Sequence, residues 1–168
     1  AMLTNVRKIK TGLAAGLTTA AMGSLLAIFN TASEVGFGNV VKTLPGFTAI
    51  QDWVFNASNN PLVSEAIAVN VLSGVTGSAS GGLSIALEVM GAQYLQMAQT
   101  LGISPELLHR IASMASGGMD TLPHNGAVIT LLAITGLTHR QSYGDIFVLT
   151  ILKTITVFAL AFAISLFI

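Results

Sequence analysis

The segment MASGGMDTLPHNGAVITLLAITG, residues 114–136, decides how this chain is read. Its flanks are apolar enough for a membrane helix. Its middle holds Gly117 and Gly118, then Asp120, Thr121, Pro123, His124, Asn125 and Gly126. Glycine and proline are the poorest helix formers, and a carboxylate in hydrocarbon is expensive. The pattern predicts a helix to about residue 116, a break, and a second helix from about 125 to 137. Ser104 before Pro105 supplies a cap and a first turn for the leading half, so the broken helix covers 105–137.

Composition places the rest of the chain in the same setting. Charged residues make up 8% of the 168, hydrophobic residues 52%, and mean hydropathy is +0.76. A soluble domain carries roughly 25% charged residues, so this chain belongs in lipid. Formal net charge is zero, which leaves no basic field for nucleic acid. Cysteine is absent, which removes disulfides, thiolate chemistry and cysteine-type zinc sites. Met2 follows Ala1, which reads as the start of a fragment.

Four further segments complete the expected organisation. Residues 11–30 read as a spanning helix, with Gly12 and Gly16 as a close-packing pair. Their basic flank, Arg7, Lys8 and Lys10, also fits a signal peptide. The apolar run matches one bilayer crossing, and the chain beyond it is equally membrane-like, which favours the span. Residues 33–60, broken by Lys42, Pro45 and Asp52, read as an irregular interfacial stretch with Trp53 at the boundary. Residues 61–98 form two apolar arms around the small-residue centre TGSASGG, 76–82. Each arm, about 15 residues, is short for a crossing, so the pair predicts a re-entrant hairpin. Residues 146–168 read as a final span, in which Lys153 snorkels from near the end. The basic start places the N-terminus in the cytoplasm.

An interrupted helix leaves backbone groups unpaired. New N-terminal ends near 80–83 and 124–128 present N–H groups that favour an anion such as a carboxylate. C-terminal ends near 75 and 117 present carbonyls that favour a cation or a proton donor. Two such breaks at mid-depth form the pattern of a secondary transporter's substrate site. The candidate substrate-binding residues are Thr76, Gly77, Ser78, Ser80 and Gly81 in the first break. In the second they are Gly117, Gly118, Thr121, Asn125 and Gly126. Asp120 reads as a functional intramembrane carboxylate or as a turn cap. His124 reads as a proton relay or as a fixed donor to freed carbonyls. Glu65 and Glu88, on the hairpin arms, are expected near the external interface.

TGSASGGLSIALEVMG (76–91) and SPELLHRIASMASGGMDTLPHNGAVITLLAITGLTHRQSYGDIF (104–147) resemble the C-terminal portion of the gluconate permease family, with hydroxybutyrate permeases nearest in character. That resemblance implies a bacterial inner-membrane, multi-pass symporter importing gluconate or short hydroxy acids with protons; sodium is the alternative coupling ion. It also implies the ion transporter architecture, in which two inverted repeats each carry a re-entrant hairpin and a broken helix. Residues 76–82 would be the second repeat's hairpin tip, and 116–126 its unwound segment. The expected fold class is therefore an all-α integral membrane domain, the C-terminal half of such a carrier. Its expected partners are the bilayer, the organic acid, the N-terminal half and, in a dimer, a second copy.

Two rivals belong to other classes. A Ser80–His124 pair would suit an intramembrane serine protease if the two lie within hydrogen-bond reach. A non-transporting packing subunit would use its small residues for helix contacts alone. No GxSxG, HExxH or GxxxxGK[ST] occurs, so no enzyme, metal or cofactor is expected.

Overall fold

Seven α-helices and one 3-10 turn make up residues 12–167, the part of the chain that the computed structural model describes, side chains 13 and 34 excepted. In chain order they are α1 (Leu13–Val41), α2 (Pro45–Phe55), α3 (Pro61–Thr76), α4 (Ala79–Thr100), α5 (Pro105–Ser116), the 3-10 turn Met119–Thr121, α6 (Gly126–Thr135) and α7 (His139–Ser165). No strand occurs among the described residues. Arg7, Lys8 and Lys10, on which the expected orientation rests, lie outside them.

Local chemistry sets most of the boundaries. Proline opens α2, α3 and α5, where its missing N–H goes unneeded and its fixed φ suits the first turn. Side chains cap the starts: Asn60 accepts from the Leu62 N–H at 2.9 Å, and Ser104 accepts from that of Leu107 at 3.3 Å. Thr138 and Gln141 form a capping box at the start of α7, a reciprocal arrangement that satisfies otherwise free N–H groups.

The architecture centres on α3, which packs against α1, α2, α4, α5, α7 and the 3-10 turn. Twelve of its sixteen residues are buried, so apolar side chains on every face find protein rather than solvent. The core beside it includes Leu62, Leu72, Met90, Tyr94, Ile111 and Ala115. Tyr94 stacks on Phe55 with ring centroids 5.3 Å apart and shares a hydrogen bond with Ser64 at 3.3 Å. The hairpin arms α3 and α4 approach at Gly82, where an added methyl would overlap the backbone of Ser73. By contrast α1 and α7, both long and apolar enough to cross a bilayer, leave Leu25, Ile28, Phe29, Leu152, Ile155 and Phe162 exposed.

Several expected boundaries move. The first span does not stop at residue 30: α1 continues to Val41, and 33–60 resolve into its last turns, a short link and α2. Gly36 and Gly38 weaken a helix by about 1 kcal/mol each, too little to end one whose neighbours support it. At Gly38 the absent side chain makes room for Ile85. The hairpin arms are unequal. The second, α4, has 22 residues and reaches ~33 Å at 1.5 Å per residue, so the argument from two short arms does not apply to it. Helix α7 begins seven residues before 146, drawn back by its capping box. Neither Gly12 nor Gly16 has a neighbour where a Cβ would point, so the close packing expected there is absent among the described residues.

Candidate functional site

The two breaks meet. The hairpin turns at Gly77, whose φ of 65° lies in the left-handed region that only glycine enters cheaply. A side chain there would also reach within 2.7 Å of the His124 ring. Helix α3 thus ends with carbonyls that have no partner of their own. The second break supplies those partners. His124 Nε2 lies 3.0 Å from the Gly74 carbonyl. A carbonyl only accepts, so this nitrogen carries the proton and donates. The Asn125 amide donates to the Gly77 carbonyl at 2.5 Å.

The help is reciprocal. Asn70, buried on α3, presses against Gly118 and donates to the Ala115 carbonyl at 3.1 Å. Each break is closed by side chains of the other element, which lets both persist away from water.

The new helix starts are closed as well. Ser78 Oγ accepts from the Gly81 N–H at 3.2 Å, and Asn125 Oδ1 accepts from that of Val128 at 2.9 Å. Asn125 therefore uses both ends of its amide within the protein. Thr76 donates to the Leu72 carbonyl at 2.8 Å. These three, expected to face a solute, hold the broken backbone in this structure. Ser80 and Gly81 line a cavity of about 270 Å³ shared with Asn39, Lys42, Ser84 and Glu88. Thr121 lines a different one, about 310 Å³, with Val128, Leu131, Leu149 and Lys153. Gly117 ends α5, and the Gly126 carbonyl accepts from Asn30 of α1 at 3.3 Å.

Asp120 is paired. Lys153 of α7 donates to its carboxylate at 3.0 Å, so Lys153 does more than snorkel. The same face of α7 offers Thr150, 2.6 Å from the Thr121 hydroxyl, and Tyr143, which donates to the Thr121 carbonyl at 3.3 Å. Sequence reasoning missed Asn70, Thr150 and the Lys153 pairing. The available signals were a lone asparagine in an apolar arm and a lone cation in an apolar span. Glu88 is exposed and paired with Lys42 at 2.7 Å. Glu65 is enclosed by protein.

The protease arrangement is not formed. Ser80 Oγ is 3.3 Å from Ser78 Oγ, and His124 Nε2 is engaged by Gly74.

These features define an all-α chain in which a helical hairpin and an interrupted helix clasp each other beside two apolar helices of membrane length. A Bacillus subtilis protein named uncharacterized transporter YxjC is 55% identical over 153 residues, covering 91% of this chain. The chain spans about a third, 32%, of that relative's length. No family profile matches the sequence, and no solved structure matches it.

Proposed function

We propose that the chain forms part of a secondary active transporter in the bacterial inner membrane, importing gluconate-like or short hydroxy acids with protons. The observation that carries this reading is the clasp itself, with Gly74 and Gly77 held by His124 and Asn125. Two interrupted helices facing each other are the arrangement in which broken helix ends bind small charged solutes at the bilayer midplane. The likeness to a protein named as a transporter supports the same class. In this reading the hairpin 61–98 is re-entrant, and its tip separates from residues 117–126 to admit the acid. The groups released from the clasp then face the solute. Asp120, freed from Lys153 on taking a proton, and His124 carry the coupling within the break. The remaining partners are the other half of the carrier and a second copy.

The test is uptake of a panel of labelled acids into proteoliposomes holding the complete carrier, with and without an imposed proton gradient and in sodium-free buffer. Gradient-driven uptake of a hydroxy acid is expected. Failure of every acid in the panel to enter would refute the reading, and uptake that requires sodium would replace the proton as coupling ion.

A further inference from the structure

We propose that Glu65, on the hairpin arm and outside both breaks, is a second proton-binding site of the protein and is held there as the neutral acid. Glu65 is 2% exposed, and its Oε2 has no hydrogen-bond partner among the described residues. An ionised carboxylate removed from water without a partner is among the costliest groups a fold can bury, and it takes a proton instead. The other acids whose side chains are described are placed differently. Asp120 has Lys153, Glu88 has Lys42, and Asp52, Glu106 and Asp145 are exposed.

The elements packed on α3 bring no cation to Glu65. Tyr94 of α4 is the titratable group within electrostatic reach of it, and its hydroxyl is engaged by Ser64 and by Met90 sulfur at 3.8 Å. Lys42 and Lys153 are committed to their own partners, and His109 and Arg110 of α5 and His139 and Arg140 of α7 are exposed.

A polar cavity of about 410 Å³ is lined by Gln51, Asp52, Phe55, Asn56, Met90 and Gln93. Its walls Phe55 and Met90 are the groups that touch Tyr94. Losing the proton requires water or a cation to reach Glu65, so α3 must loosen from α2 and α4. Proton occupancy and seating of the hairpin are thereby linked. What the proton does rests on the transporter reading; that Glu65 binds one does not.

The experiment takes the protein in liposomes at neutral pH and records the infrared C=O stretch of protonated carboxyl groups. The band should be present in the wild type and in Asp120→Asn, and absent in Glu65→Gln. Isotope-labelled glutamate should shift it in the unmutated protein, which decides the assignment even where the variant fails to fold. In uptake assays, Glu65→Gln should lose at least tenfold in gradient-driven uptake while keeping solute exchange. A band that survives Glu65→Gln, ignores the glutamate label, or disappears only in Asp120→Asn overturns the proposal. Unchanged gradient-driven uptake by Glu65→Gln overturns the coupling role given to that proton. If the wild type moves no acid at all, the transporter reading fails, and the band alone decides Glu65.

Discussion

Replacing Asn125 by alanine tests the clasp most directly, because one side chain closes both breaks. Its amide nitrogen donates to Gly77 on the hairpin, and its oxygen caps α6 at Val128. Asn125 is 3% exposed, so water cannot readily substitute for it. Loss of the cap costs about 1 kcal/mol, and the abandoned Gly77 carbonyl costs about 1–3 kcal/mol. The expected destabilisation is thus about 2–4 kcal/mol, a factor of a hundred being about 2.8 kcal/mol. Equilibrium unfolding of the purified protein in mixed micelles, followed by far-ultraviolet circular dichroism, reads it. Asn125→Ser separates the contributions: serine caps as well as asparagine but does not reach Gly77. It should recover about 1 kcal/mol and leave the rest. A loss below about 0.5 kcal/mol for Asn125→Ala, the range of inert surface changes, would show that the breaks are not held together in this way.

Other substitutions probe neighbouring features. Asp120→Asn should abolish substrate-driven proton uptake in proteoliposomes; normal uptake would remove Asp120 from the coupling step. In a double-mutant cycle of Asp120→Asn with Lys153→Met, the partly exposed pair should show a coupling of up to about 1 kcal/mol, and none if the pair is incidental. Gly82→Ala should destabilise the hairpin by about 1–3 kcal/mol through overpacking. Ser73→Gly should not rescue it, because the overlap is with backbone; full rescue would contradict the close approach. Cysteines at Ser80 and Thr121 should be shielded from a thiol reagent by a transported acid, and unchanged labelling would place the solute elsewhere.

The edges of the second break were legible because local chemistry makes them. Gly117 and Gly118 end one helix, and Asn125 starts the next with its own side chain. The meeting of the breaks was expected from the pattern of two interruptions at mid-depth, not from any pairing of their residues. The identities of the partners were not legible. Asn70 and Ala115 are 45 residues apart, and Lys153 and Asp120 are 33 apart. Such pairs depend on how helices lie across one another, which leaves no periodicity in the chain. The same holds for Glu65, where an interfacial carboxylate and a buried one share one sequence context. The length of α1 was misread because residues 33–60 read as one irregular stretch, whereas the interruptions start only at Lys42, and the fit of Gly38 against Ile85 that supports the last turns belongs to tertiary packing.

The clasp joins two carbonyls one helical turn apart, Gly74 and Gly77, to two adjacent side chains, His124 and Asn125. Because the two donors are adjacent, pulling the loop from the hairpin breaks both links, as a press-stud opens. The broken helix ends are in this sense already liganded by the chain itself. Under the proposed transport function, a small molecule binding there would exchange for those internal bonds rather than add to them, and its affinity would be the difference between two closed arrangements.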